Sequence, residues 1–347
     1  MATAAMVGNL SPGLARAWYA VALTRDVGDD PIAVTVLGRH WVVVKLDGEL
    51  TAFEDRCPHR LAPLSIGINC GSSLQCRYHG WHFDASGTCV KIPSLGLDAA
   101  LPPRAKVAKP FGVKERYGLV WLAPEEPLAD LPDFREWEDD GFDTMWNEPR
   151  RTTAGAVQLC ENFLDGTHLP TVHTGTFGVA DSEYVPAFEV VTGDWTASTT
   201  YEVPYRNYDD PLVATGEHPL VQIHRLYKEV TPATTALIRL GFPLTGKTIA
   251  ILFSCVPETA THSRIFKQIA RDDYDGDAAK IAESIKFEDL VMDEDLAVLE
   301  AYRDNRVPLD LRTEVSVRTD RLPVAYRRML LKMLGAPSAD VERDAAV

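Results

Sequence analysis

The sequence predicts an α+β protein. An all-β N-terminal domain is followed by a larger domain in which antiparallel strands are bracketed by helices. Three observations predict this. Short runs of β-branched and aromatic residues, separated by turn signals, fill the first third of the chain. A proline-rich acidic stretch then interrupts the pattern. Beyond it, further strand-like runs stand between one helical segment and two long ones.

The runs WYAVAL, PIAVTVL and WVVVKL read as strands between residues 18 and 46, with turns at Asp29-Asp30 and Asp47-Gly48. WHFDASGTCVKI reads as a hairpin about Ser86-Gly87, and YGLVWLA (117–123) as another strand. An arm of residues 1–14 and an all-β domain of residues 15–125 follow from this. PEEPLADLPDFREWEDDG (124–141) reads as the connection to a second domain, residues 126–336. That domain opens with a helical stretch, AGAVQLCENFLDGTHLPTVHTGTFG (154–178). The runs AFEVVTG, WTASTTYEV, VQIHRLYKEV, TALIRLGFPL, IAILFSCV and SRIFKQIAR then read as strands, of which two bring His224 and Phe253 into reach of a pocket. Helices are predicted from about 277 to 305 and from about 320 to 334. The polar tail PSADVERDAAV (337–347) is expected to fray.

At 347 residues, 46% hydrophobic and 24% charged, the chain has the composition of a soluble globular protein of two domains. A net charge of −15 repels nucleic-acid phosphates and argues against such a partner. The N-terminus lacks the basic and apolar regions of a secretory signal, and no apolar run is long enough to span a bilayer. A cytoplasmic location without a membrane anchor is the expectation. Four of the six cysteines, Cys70, Cys89, Cys160 and Cys255, show no framework spacing and fit reduced thiols.

The other two stand in CPHRLAPLSIGINCGSSLQCRYHGW (57–81), which pairs Cys57 with His59 and Cys76 with His79. Two thiolates can hold one iron of a [2Fe–2S] cluster while two imidazoles hold the other. A zinc finger pairs Cys with Cys and His with His, so the mixed pairs favour the cluster. Trp81 is placed to pack under these loops.

A second constellation lies in the helix predicted over 158–168, which carries Glu161, Asn162, Asp165 and His168. His173 lies further on, about 140° round a regular helix from His168. Pro170 disfavours a continuous helix between them, so His168 closes the helix and His173 swings back. Asp165 shares a face with His168 and can orient its imidazole. A third, carboxylate ligand would make the site a 2-His-1-carboxylate iron centre. On the helix near 281–302, Ile281, Ile285, Met292, Leu296 and Leu299 share one face. Asp293 and Glu294 point away from that face; Glu288 and Asp295 fall at its margin, and phase leaves both open.

The lines CPHRLAPLS and YHGWHFDASGTCVKIP, with EN-xx-D-xx-H-xxxx-H from Glu161 to His173, make the chain resemble the terminal oxygenase α subunit of Rieske non-haem iron oxygenases. The resemblance covers about residues 15 to 305. It implies a Rieske domain followed by a helix-grip-like catalytic domain. The family's ligand Asp sits in ED-xx-VLE, which selects Asp295 over Glu288; the family's VLEAQ is VLEAYR here, at no ligand position. The implied cofactors are a [2Fe–2S] cluster on Cys57, His59, Cys76 and His79, and a mononuclear Fe(II) on His168, His173 and Asp295. Asn162 would lie near that iron. Asp165 would bridge His168 to a cluster histidine of a neighbouring subunit in a homotrimer. No GxGxxG fingerprint is present, so a ferredoxin or flavin reductase would draw on NAD(P)H. A Cys70–Cys89 disulfide, which some Rieske domains carry, is the alternative to free thiols.

The chain is most similar to the α-only group that includes vanillate and dicamba demethylases. The implied reaction is hydroxylation or oxidative demethylation of a small aromatic or alicyclic compound with O2. Ring cis-dihydroxylation and arylamine N-oxygenation are alternatives. A non-enzymatic Rieske electron carrier with a ligand-binding domain is a third.

Overall fold

The computed structural model describes residues 6–96, 99–179 and 184–335. The predicted tail, 337–347, and the first five residues of the predicted arm lie outside them. The chain divides into two compact units: Ala15–Leu128 with Val256–Ala260, and the remainder.

The smaller unit is all-β. Ile32–Val36, Arg39–Leu46 and Glu49–Glu54 form one antiparallel sheet; Ile68–Asn69, Ser73–Gln75, His82–Asp84 and Cys89–Lys91 form a second. Tyr19–Leu23, Gly112–Arg116 and Leu119–Ala123 form a third. Alternate side chains of the first sheet, Val42, Val44 and Leu46, pack with Phe53, Leu64, Leu74 and Phe83. Cys57 and Cys76 belong to this same core, so the two motif loops are anchored at their sulfur ends. The hairpin about Ser86-Gly87 is as predicted. Asp84 Oδ1 accepts from the backbone N–H groups of Ser86 and Thr88. Gly87 has φ +82°, and a Cβ there would lie 2.6 Å from the Val107 carbonyl oxygen, so only glycine fits. All six cysteines are free, including Cys70 and Cys89.

The larger unit is built on an eight-stranded sheet. Its order is Asp143–Trp146, His262–Arg271, Lys247–Thr259, Thr235–Phe242, Val221–Thr231, Ala197–Arg206 and Val190–Thr192, with Arg150–Thr152 also paired to His262–Arg271. Among the described residues five α-helices accompany it: α1 (Ala156–Leu164), α2 (Leu169–Val172), α3 (Pro211–Thr215), α4 (Ala278–Leu299) and α5 (Arg321–Met333). α4 buries Met292, Leu296 and Leu299 against Leu159 of α1 and Phe253 and Ile265 of the sheet. Its earlier apolar residues, Ile281 and Ile285, are only partly buried. α4 ends at Leu299 rather than near 305. Beyond it Glu300 accepts from Thr152 Oγ1 (2.6 Å) and the Asp304 carbonyl accepts from Gln158 Nε2 (3.0 Å), which turns the chain off the helix axis. The described part of the N-terminal arm is a strand, Met6–Val7, paired with Val307–Pro308. Among the described residues no helix is long and apolar enough to cross a membrane.

Candidate active site

Each cysteine-to-histidine loop of the smaller unit is a tight turn closed by its own backbone. Leu61 N–H donates to the Cys57 carbonyl (2.9 Å), and Gly80 N–H to the Cys76 carbonyl (2.9 Å). The two turns bring the His59 and His79 rings together, centroids 4.4 Å apart. Trp81 stacks on His59 at 4.6 Å and 6°. The Cys57 and Cys76 side chains are buried. Burial, reinforced by Cys76 beside it, pushes the Cys57 thiol up to about 11. Two thiolates here require cations between them. Burial, then the charges of His79 and Arg60, hold the His59 imidazole below its ordinary value, in the neutral form that ligates metal. His59 Nδ1 is buried without a hydrogen-bond partner. Two buried sulfurs and an orphaned imidazole nitrogen fit an iron–sulfur cluster.

In the larger unit the helix breaks before His168, not after it. α1 ends at Leu164, and Asp165 to Thr167 form the turn. Asp165 Oδ2 accepts from the backbone N–H of Thr167 (3.1 Å) and of His168 (2.9 Å), a side-chain-to-backbone turn that competes with helix. A Cβ at Gly166 would lie 2.2 Å from Tyr201 Oη, so a side chain there would have to displace the Tyr201 ring. Pro170 sits in the first turn of α2, where its missing N–H costs nothing. His168 and His173 flank this single short helix.

Their rings are oriented by carboxylates on their far sides. His168 Nδ1 is 2.8 Å from Asp165 Oδ2, and His173 Nδ1 is 2.8 Å from Glu294 Oε2. With both Nδ1–H groups donating outward, both Nε2 lone pairs point inward. They meet Asp295 Oδ1, 3.5 Å from His168 Nε2 and 3.3 Å from His173 Nε2. That oxygen is buried and has no hydrogen-bond partner. The three ligand atoms lie within 4.8 Å of one another. Three inward-facing lone pairs repel unless a cation sits among them, and the donor set fits a divalent transition metal.

The alternative carboxylate, Glu288, is taken by Lys267 Nζ at 2.9 Å. Asp289 accepts from Asn147 Nδ2, and Asp293 pairs with Arg150. The helical-phase argument set Glu294 aside because it points away from the apolar face of α4. It nevertheless reaches His173 from the flank, steadied by Thr176 Oγ1 at 2.8 Å. Glu294→Gln should retain the hydrogen bond and lose the charge. We expect Fe(II) affinity, measured by chelator competition, to fall roughly 10–100-fold, with the visible spectrum of the cluster unchanged.

Burial pushes the Asp165 carboxyl up. The hydrogen bond from His168 and the charge of Lys228 prevail and hold it well below the usual carboxylate range. Lys228 was not singled out by the sequence. Its side chain is buried, and Nζ donates to the Phe163 carbonyl (3.1 Å) and the Asp165 carbonyl, capping the end of α1. Burial pushes the ammonium down to about 8, against the pull of Asp165 and Asp295. The unfolded value is about 10.4. Between those two pH values the unfolded chain binds more protons, so this group's contribution to stability rises with pH across that window. Lys228→Met should lack that rise when denaturant unfolding is followed from neutral pH upward.

A cavity of about 400 Å³ opens onto the inward face of His168, His173 and Asp295. Its lining joins the apolar Leu226, Ile238, Ile251 and Phe253 to the charged Asp209, Arg271 and Glu283. This is the size and character of a small-molecule site.

Residues 17–102 match the family model of the Rieske [2Fe-2S] domain. Residues 153–336 match that of the vanillate O-demethylase oxygenase C-terminal domain. The chain is similar to methylxanthine N1-demethylase NdmA of Pseudomonas putida, 29% identical over 305 residues, which is 87% of this chain and 82% of that protein. It is 33% identical over 193 residues to the oxygenase component of dicamba O-demethylase from Stenotrophomonas maltophilia, 54% of this chain and 56% of the relative. The structure of NdmA with caffeine superposes with a TM-score of 0.80 at 26% identity, covering 92% of this chain and 91% of the other. Dicamba monooxygenase bound to dicamba superposes with a TM-score of 0.75 at 25% identity, covering 93% and 98%.

Proposed function

We propose, from the premise that this chain belongs to the Rieske oxygenases with a vanillate O-demethylase-type C-terminal domain, that it is the terminal oxygenase of an oxidative demethylase. It is a Rieske-type oxidoreductase that uses a [2Fe–2S] cluster and a mononuclear iron, with electrons delivered by a separate reductase or ferredoxin. The observation that carries the demethylase reading is the cavity of about 400 Å³ that reaches His168, His173 and Asp295 and has room for a small aromatic ring beside Leu226, Ile238, Ile251 and Phe253. Cys57, His59, Cys76 and His79 would hold the cluster. Iron bound to His168, His173 and Asp295 would supply the O2 activation, having coordination positions beyond its three protein ligands.

The chain's own residues do the rest. Leu226, Ile238, Ile251 and Phe253 desolvate an aromatic ring and exclude water from it. Asp165 and Glu294 fix the two imidazoles as neutral Nε2 donors. Asn162 lines the same cavity as Asp295. Asp165 opens the turn after α1 and would face a cluster histidine of a neighbouring subunit in a ring-shaped homotrimer. The substrate's methyl carbon on O or N gains a hydroxyl group, and the resulting hemiacetal or hemiaminal releases formaldehyde. One O2, two electrons and two protons give the demethylated product, formaldehyde and water.

The test is a single turnover of chemically reduced protein with methoxyarenes, N-methyl heterocycles, arylamines and plain arenes. Formaldehyde equal to the O2 consumed is expected from the methylated classes. Oxygenated product from plain arenes or arylamines alone would transfer the assignment to ring dihydroxylation or N-oxygenation. Light scattering should give a mass near three times that of the chain.

A further inference from the structure

The strand Val221–Thr231 alternates exposed and buried residues, so Gln222, His224, Leu226 and Lys228 share its inward face. Gln222 is satisfied by Asp210 and Asn207, and Lys228 by the carbonyls at the end of α1. His224 is different. It is 2% exposed, and neither Nδ1 nor Nε2 has a hydrogen-bond partner. Its ring neighbours are carbon faces, with Tyr205 stacked at 5.0 Å and 22° and Phe242 at 6.1 Å. It lines the cavity beside Leu226. A buried polar group left unpaired costs stability, and an apolar side chain of similar shape would avoid that cost. A ligand is the partner this wall lacks.

We propose that His224 determines substrate specificity, donating a hydrogen bond to a neutral acceptor, of the carbonyl class, on an uncharged aromatic substrate. The proposal rests on the cavity being the substrate site. The soft χ2 torsion of histidine lets the ring turn a nitrogen toward the ligand. Burial, then the Lys228 charge, push the imidazole down to about 3, so it offers a neutral N–H and no positive charge. Three of the four cations that line the cavity already face carboxylates. Arg271 pairs with Asp209 and Asp273, Lys267 with Glu288, and Lys228 faces Asp165 and Asp295. Lys280 is exposed and lies over the Tyr274 ring. A carboxylate substrate would therefore lack a free cation at His224.

The experiment measures binding to the anaerobic holoenzyme, without turnover, for three probes. These are 4-methoxyacetophenone, its isostere 4-isopropenylanisole, and the anion 4-methoxybenzoate. The wild type should prefer the ketone to the alkene roughly tenfold, and the benzoate should bind weakest. His224→Leu and His224→Phe should lose the ketone preference while melting no lower than the wild type, because the orphaned nitrogens are gone. Equal affinity of the wild type for ketone and alkene, or binding of neither, overturns the proposal and needs no variant. A variant that keeps the ketone preference and melts lower makes His224 a structural residue. If the ketone preference holds but no methylated probe yields formaldehyde, the demethylase reading fails and the role of His224 stands.

Discussion

Asp295→Ala should abolish product formation and remove the mononuclear iron while sparing the cluster. Asp295 Oδ1 is the buried oxygen toward which both Nε2 atoms point. Without it, two neutral imidazoles are left to hold a hard ferrous ion. A catalytic metal supplies several kcal/mol of the barrier reduction, so turnover should fall on the order of a thousandfold or more. Iron per chain should drop by about one, with the rhombic EPR signal of the reduced cluster intact. Glu288→Ala is the matched control, because its carboxylate is engaged with Lys267. It should keep its iron. A Glu288 variant that lost iron while Asp295→Ala kept it would reverse the assignment.

Asp165→Asn should separate metal binding from electron delivery. The Asp165 carboxylate accepts from the Thr167 and His168 backbones, from the Thr167 hydroxyl and from the His168 ring. Asparagine can keep the turn through its carbonyl oxygen, but it loses the charge. Both metals should remain bound. Turnover with the reductase should fall roughly 10–100-fold. Stopped-flow reoxidation of the cluster should slow by the same factor, which a purely structural weakening would not require. Unchanged cluster reoxidation would remove Asp165 from the electron path and leave it only the role of orienting His168.

The convergence of the two Cys/His turns was legible because each pair is local in the chain and mixes a thiolate with an imidazole. The pairing of His168 and His173 was legible because they stand close in the chain, but its mechanism was not. Pro170 looked like the helix breaker, whereas the break lies in the Asp165–Gly166 turn and the proline opens α2. Phase along α4 left Asp295 and Glu288 level, and the motif around Asp295 chose between them. The Lys267 partner that engages Glu288 is a tertiary fact with no trace in local sequence. Glu294 was missed because phase ranks residues only against the apolar face. Its contact with His173 spans 121 residues and comes from the side of the helix. Lys228 and His224 were readable as inward-facing by the period of their strand. What they face depends on α1 and the opposite strands. The strands Asp143–Trp146 and Arg150–Thr152 were not foreseen, because DTMW and RRT are too short and polar to show alternation.

Total iron and acid-labile sulfide, measured together on protein purified anaerobically, bear most directly on the claim that His168, His173 and Asp295 hold a ferrous ion apart from the cluster. The predicted result is about three irons for about two sulfides per chain. About two irons for two sulfides, persisting after the protein is incubated with Fe(II), would contradict it.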